Sequence, residues 1–507
     1  MGKKEILILT LIIIIAIFFR FYRLDTFPPG LYPDEAMNGN NALAALETNS
    51  PNGGWKVFYP ENNGREGLFI NLQSISVAAF GISPWSLRLV SAIVGVLTVI
   101  GLYFLAKELF GKHVGALASF LMAISFWHVN FSRIGFRAIM LPLILVFGFY
   151  FLWRGLKHAS LFNFFLTGVV WGLGVYTYIS YRVTPLILLF VLITYWLSIK
   201  KDFSLTKYRQ TRAKILKGLA VFIGTAVVVA LPILVYFAQN PTDFSGRTGA
   251  YLSVWGQKEP FKEFGLSVVK TLGMFNFTGD YNWRHNISGW PMLSLPVGIL
   301  FIIGFFKELT HWLKRKHEHF STTHTLLFSW FFVMLSPGFL SIEAPHALRT
   351  IGVLPIVMIF AAQGLYWATT KLYRWHSTLD PHLNHRKSRM LAKFTLGIFL
   401  VSLVFLEYNN YFNVWAKNNN TSRWFNQNYV DLAYEINKAP INVRKYIVVN
   451  AGGTLVNGIP MSSQTVMFLT DTFTSSKQME KNIFYLTEEQ YKQGDYHHNS
   501  IVFLLEK

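Results

Sequence analysis

The sequence predicts an all-α polytopic membrane protein of about eleven transmembrane helices, with a large first extracytoplasmic loop and a small α/β soluble C-terminal domain. Three observations predict it. Apolar runs recur along residues 1–412, basic residues gather between them in one consistent orientation, and the chain changes character over 413–507.

Composition bounds the environment. A soluble domain is about a quarter charged, whereas here 14% of 507 residues are Asp, Glu, Lys or Arg and 52% are hydrophobic. The 46 Lys and Arg against 26 Asp and Glu give a formal charge of +20. These bases lie between apolar runs, the placement that anionic lipid and the positive-inside rule select. Membrane lipid is therefore an expected partner. No Gly-rich or aromatic-interleaved basic stripe suits nucleic acid. Cysteine is absent, which excludes disulfides, thiolate zinc sites and a cysteine nucleophile.

A spanning helix needs about twenty mostly apolar residues. The runs that qualify are 6–22, 89–106, 114–132, 138–153, 161–180, 183–199, 218–238, 292–306, 324–341, 351–369 and 394–412. The first follows Met-Gly-Lys-Lys, as a secretory signal would. No small-x-small cleavage site comes after it, only Arg20, Tyr22, Arg23 and Leu24, so it reads as an uncleaved span with a cytoplasmic N-terminus. Even spans then return inward. The inner connections hold Lys107 and Lys112, then Arg154 and Lys157, then Lys200, Lys201, Lys207, Arg209, Arg212, Lys214 and Lys217. Lys314, Arg315 and Lys316 follow in the fourth, and Arg374, Arg386, Lys387 and Arg389 in the fifth. All five are basic, which sets the orientation. An even number of spans would put one cluster outside. The expected location is a bacterial or archaeal plasma membrane.

Outside lie two long loops, 23–88 and 239–291, and short ones near 133–137, 181–182 and 342–350. The extracytoplasmic domain over 413–507 opens with an amphipathic helix at Asp431–Asn437. A buried strand follows at Lys445–Asn450, then a turn at Gly452-Gly453, and further strands are expected at Gln464–Leu469 and Ser500–Leu505.

The outer loops carry the chemistry. Asp34 and Glu35 are adjacent carboxylates just after the first span, where mutual repulsion raises one pKa and a carboxylate can accept a proton from a hydroxyl or amine. The plainer reading is that one of them caps the helix starting near Ala36. Further along the same loop, Glu66 is a third carboxylate at the same interface. Arg88, Arg133, Arg137 and Arg182 stand at the outer ends of spans, Arg182 just after the run Gly174–Tyr181 that includes Tyr178. The positive-inside rule disfavours arginine on that side. Such arginines fork onto phosphate oxygens or pair with the nearby acids. Asp280, Arg284 and His285 lie among tryptophans in the second long loop, and polar groups beside aromatic faces of this kind commonly hold sugars. His346 and Arg349 precede the tenth span, one helical turn apart. A divalent metal held by His285, His346 and Glu66 is the one cofactor these residues admit, with no local ligand spacing to support it.

Together these residues resemble the multi-span glycosyltransferases that use lipid-linked sugars, especially the protein O-mannosyltransferase-like and aminoarabinose-transferase-like branch. The resemblance covers residues 1–370. It rests on Asp34-Glu35 after the first span, Glu66, Arg88-Leu-Val-Ser-Ala-Ile-Val-Gly95, and the stretches Arg133–Pro142 and Gly174–Pro185. It implies a polyprenyl-phosphate sugar as donor, inversion at the anomeric carbon, and Asp34 as general base on the acceptor with Glu35 assisting. Arg88, Arg133, Arg137, Arg182 and Arg349 are then candidates for the donor phosphate, and the acceptor is a protein, lipid or glycan. The tail is expected to help recognise it. Relatives often carry another acid at the head of the fourth span, but Ile134–Met140 has none here. Two rivals differ in chemistry. A transporter or flippase of lipid-linked sugars would favour mid-membrane ionisable groups and repeated halves. A polymerase or ligase using lipid-diphosphate glycans would not need Asp34-Glu35.

The orientation is testable directly. Cysteines introduced at Asn282 and Ser476 are expected to react with an impermeant thiol reagent in intact cells, and one at Ser204 only after lysis. Labelling of Ser204 in intact cells would invert the topology.

Overall fold

Helix α1 (Lys3–Phe21) leads into a first loop that is itself structured. It contains α2 (Pro33–Leu46), a hairpin pairing β1 (Phe58–Tyr59) with β2 (Arg65–Glu66), and α3 (Leu68–Phe80). Then come α4 (Pro84–Phe110), α5 (Lys112–Ile124), α6 (Phe126–Phe131), α7 (Met140–His158), α8 (Leu161–Gly174), α9 (Thr184–Asp202) and α10 (Leu205–Gln239). The second long loop carries α11 (Pro241–Ser245) and α12 (Pro260–Gly273). After it follow α13 (Leu295–Lys314), α14 (Thr322–Phe339), α15 (Leu354–Leu379) and α16 (His385–Tyr408), which widens into a π-helix over Asn409–Trp415. This computed structural model describes residues 2–47, 53–202, 205–246, 253–314, 322–379, 385–494, 496 and 499–506. Ser204, Arg315 and Lys316 lie outside the described residues, as do the side chains of Lys200, Lys201, Lys207, Arg209, Arg386, Lys387 and Arg389.

The chain is a mostly helical, multi-pass membrane protein. The apolar runs read from the sequence fall on helices, with 114–132 broken at Ser125 and 161–180 after Gly174, and among the described residues 7 helical stretches are long and apolar enough to cross a membrane. Helices α5 and α8 are short, at 13 and 14 residues. The run 161–180 is not one helix. It ends at Gly174, turns, and resumes as a 3-10 segment over Ile179–Val183, which leaves Tyr178 in the turn.

Small residues set the closest helix crossings, as expected where apolar side chains gain little by leaving lipid. A Cβ added at Gly304 of α13 would stand 1.8 Å from the Phe360 carbonyl oxygen of α15, and one at Gly364 would stand 2.0 Å from that of Leu300. Lys107 pairs with Glu5 at one end of the bundle, where Lys157 also reaches Glu108 at 2.7 Å. At the other end Arg88 pairs with Glu35, and Arg137 with Glu66.

The tail continues as α17 (Asn419–Trp424), α18 (Gln427–Lys438), β3 (Arg444–Asn450), the hairpin of β4 (Leu455–Val456) and β5 (Ile459–Pro460), and α19 (Gln464–Thr470). It closes with α20 (Ser475–Lys481), β6 (Ile483–Thr487), α21 (Glu488–Gln493) and β7 (Ser500–Glu506). Strand β3 is central and parallel to both neighbours, with Ile447 opposite Tyr485 and Phe503. The strand expected at Gln464–Leu469 is instead helix α19. All its residues are buried because it packs between α2 and α18. A short run buried on every side has no periodicity to separate strand from helix. One core joins tail and first loop: Leu31, Ala36 and Leu87 pack with Val430, Val466 and Phe468.

Gly304→Ala is expected to lower stability by about 1–3 kcal/mol, the usual cost of overpacking. Gly224→Ala, where an added Cβ meets nothing within 4 Å, should leave it unchanged. Thermal unfolding in detergent measures both, and equal behaviour would remove the packing argument.

Candidate active site

Pro33 opens α2, and its N-cap residue Tyr32 makes no side-chain capping bond. Adjacent helical residues point about 100° apart, so Asp34 and Glu35 meet different surroundings. Glu35 turns inward and is fully buried. Its Oε2 lies 3.2 Å from Arg88 Nε and accepts the Gly135 N–H at 2.7 Å. Arg88 spends its remaining donors on the carbonyls of Pro28 at 2.8 Å and Gly30 at 2.6 Å. This enclosed pair does not fit the expectation that Glu35 assists at the acceptor or that Arg88 binds phosphate.

Asp34 turns outward, its side chain 38% exposed. Asn62 Nδ2 donates to its Oδ1, and Arg284 stands 4.0 Å from Oδ2. The helix start carries no side-chain cap, so the capping reading has no support at Asp34. Asn62 was not singled out from the sequence, although its signal is local. Asn62, Asn63 and Gly64 have φ of 51°, 61° and 81°, a left-handed run that Asn and Gly tolerate best. Beyond this turn Arg65 donates to Asn38 Oδ1 at 2.7 Å and to Asn41 Oδ1 on α2. The hairpin is thereby fixed to the helix, and Asn62 is aimed at Asp34.

Arg284 reaches the same place from the second long loop. Asn282 Oδ1 accepts its N–H at 3.0 Å and its Nε–H at 3.2 Å, while Asn130 donates to its carbonyl at 2.8 Å. The guanidinium lies 3.9 Å from the centre of the Tyr32 ring and 5.7 Å from that of Trp424 in the tail. Burial raises the Tyr32 pKa, with the Asp34 charge acting in the same direction.

A second group brings Glu66 and Arg137 together, with Arg137 Nε 2.6 Å from Glu66 Oε2. The Arg137 guanidinium sits 5.7 Å from the Tyr178 ring centre, and its Nη2 is buried without a hydrogen-bond partner among the described residues. Arg182 is nearby, close enough to feel the Glu66 charge. It donates to the Phe244 carbonyl at 2.7 Å and lies against that ring.

The third group comprises Asp280, His285 and His346. Asp280 Oδ2 is 2.8 Å from His285 Nδ1, 3.9 Å from His346 Nδ1, and accepts the Ala347 N–H at 2.8 Å. Burial holds both imidazoles below their ordinary pKa, His346 well below. Burial pushes Asp280 the other way, yet His285, His346 and the Asn282 N–H against its carboxylate bring it down to about 2. The acid beside the two histidines is thus Asp280. Glu66 is engaged with Arg137.

Two predicted phosphate ligands are occupied elsewhere. Arg133 is fully buried and donates to the carbonyls of Phe19, Tyr22, Arg23 and Phe27 at 2.8–3.0 Å, closing the end of α1. Arg349 is bound to Ser341 and Glu343. Neither has a fork free for phosphate.

Known proteins share this architecture. Residues 68–223 match the family described as dolichyl-phosphate-mannose-protein mannosyltransferase. Arg88, Arg133, Arg137, Tyr178 and Arg182 fall inside the matched stretch, whereas Asp34 and the Asp280 group fall outside it. YkcB of Bacillus subtilis, provisionally named a mannosyltransferase, is 33% identical over 132 residues, 26% of this chain and 18% of YkcB. ArnT from Cupriavidus metallidurans, solved bound to undecaprenyl phosphate, superposes with a TM-score of 0.54 at 13% identity, covering 97% of this chain and 91% of ArnT. The oligosaccharyltransferase AglB of Archaeoglobus fulgidus, solved with an inhibitory peptide and a dolichol-phosphate, gives 0.50 at 16% identity, covering 92% and 63% of the two chains. The chain thus spans less than two thirds of AglB and less than a fifth of YkcB.

Arg88→Ala strands the Glu35 carboxylate in a dry site, and breaking a buried pair this way costs about 3–5 kcal/mol. Asp34→Ala, at a partly exposed position, is expected to cost far less. Thermal unfolding of the two variants separates the roles, and similar losses would contradict the assignment.

Proposed function

We propose that this chain is an inverting glycosyltransferase that moves one sugar from a polyprenyl-phosphate donor to an acceptor on the extracytoplasmic face. In this reading it crosses the membrane eleven times with its N-terminus in the cytoplasm. The observation that carries the proposal is the state of Asp34. Of the three candidate acids Asp34, Glu35 and Glu66, it alone keeps a carboxylate open beside a cation, while Glu35 and Glu66 are held in buried pairs.

The chemistry follows from that arrangement. Asp34 accepts the proton of the acceptor hydroxyl or amine as its oxygen or nitrogen attacks the anomeric carbon. Attack comes from the face opposite the phosphate. The bond from that carbon to the phosphate oxygen breaks, and the lipid phosphate leaves with the electron pair. Cations aimed at the developing charge lower this barrier. Arg137 is the best placed, since one of its nitrogens is buried and unpartnered, and Arg182 stands near it. Arg284, braced between Tyr32 and Trp424, faces the Asp34 carboxylate and orients it. The lipid phosphates bound by ArnT and AglB support a donor of the same chemical class.

The transporter reading is weaker because the buried acids within helices are structural. Glu407 accepts the Phe126 N–H at 3.1 Å, and Glu308 pairs with Lys307 and His324, each at 3.1 Å.

Asp34→Asn keeps the shape but cannot accept a proton at neutral pH, so transfer is expected to fall by at least about 100-fold with unchanged donor binding. Arg137→Ala should instead weaken binding of a polyprenyl phosphate by about 1.5–3 kcal/mol. Radiolabelled polyprenyl-phosphate sugars and cell-envelope acceptors provide the assay. Near-normal turnover of Asp34→Asn would remove it as the base.

A further inference from the structure

The three groups at this end of the molecule differ in one respect. Asp34 and Glu66 face cations, but Asp280 faces two imidazoles. The Asp280 and His285 side chains come from the loop before α13 and His346 from the loop before α15, and their donor atoms all lie within 4.8 Å of one another. The two rings are 5.1 Å apart between centres.

Hydrogen bonding alone does not satisfy the group. His285 donates Nδ1–H to Asp280, which leaves His346 Nδ1 buried without a partner, 3.9 Å from the same carboxylate oxygen. A buried polar atom left unpaired is costly. Two imidazole nitrogens and a carboxylate oxygen make a borderline N2O donor set, which suits zinc and its neighbours rather than magnesium or calcium. Bonds of about 2.0–2.2 Å to a tetrahedral ion place donor atoms about 3.4 Å apart. The observed 2.8 and 3.9 Å bracket that spacing.

We propose that Asp280, His285 and His346 form a site for a divalent transition metal. The ion replaces the proton shared between His285 and Asp280, occupies the open nitrogen of His346, and keeps a fourth position for water or a ligand oxygen. Its role is positional. It ties the loop before α13 to the loop before α15, and so holds Arg284, the neighbour of His285, against Tyr32 and 4.0 Å from Asp34. The inference does not depend on the transferase reading, because metal binding is measured without turnover.

The test uses full-length, untagged protein in detergent, stripped with a chelator, reloaded with zinc and desalted. Expected are about one zinc per chain by elemental analysis and a higher unfolding temperature than the stripped form, with magnesium giving neither. His346→Gln and Asp280→Asn should each weaken zinc binding at least about 10-fold, a loss that even changes behind the ligands produce. Lowering the pH from 7.5 to 5.5 should release the ion as protons compete for the imidazoles. Since unmodified protein alone gives the stoichiometry, a variant that fails to fold does not blunt the test. Retention of less than a tenth of an equivalent by the unmodified chain overturns the proposal, as does retention equal to it in both folded variants.

Discussion

The outer end of this molecule depends on the buried pair of Glu35 and Arg88. One carboxylate and one guanidinium together bind the Pro28 and Gly30 carbonyls of the first loop, the Gly135 N–H of the connection before α7, and the start of α4. Three segments distant in sequence are clamped at one point. Buried ion pairs are weak contributors to net stability but severe to break. Their value lies in admitting one arrangement, and here that arrangement presents the next residue along, Asp34, to the outside.

The other charges divide by the same rule. Arg133 and Arg349 each have both terminal nitrogens on the protein's own oxygens, so neither has a free pair of them to offer a ligand, although Arg133 Nε is buried without a partner among the described residues. Arg137 is half satisfied: Glu66 fixes it while one nitrogen remains unpaired. Arg284 is held by stacking between rings rather than by a strong ion pair. Incomplete satisfaction inside an ordered surround is what a binding site needs, because a buried donor without a partner gains most from a ligand.

The tail is not a separate appendage. Gly39 of α2 lets Phe468 approach so closely that a Cβ there would meet its ring at 2.6 Å, and Thr465 donates to the Leu31 carbonyl at 2.8 Å. Asn40 reaches Gln464 at 2.9 Å. These contacts weld α19 to the helix that carries Asp34, and the same packing brings Trp424 over Arg284. The aromatic wall beside Asp34 thus joins its near neighbour Tyr32 to Trp424 of the tail.

The sequence by itself determined the apolar runs, the basic connections between alternate runs, a buried strand in the tail, and the concentration of acids, arginines and histidines in the other connections. These are local patterns set by lipid solvation and by charge placement across a bilayer, and they are readable within twenty residues or so. Only the tertiary structure decided what each charged group does. Asp34 and Glu35 are neighbours with the same functional group, and their roles separate because a helix turns them toward different partners. Arg88, Arg133 and Arg137 look alike at the ends of spans, yet their partners lie 50 or more residues away. Asp280 joins His346 across two loops. A buried charge takes its role from whatever satisfies it, and long-range packing supplies that partner.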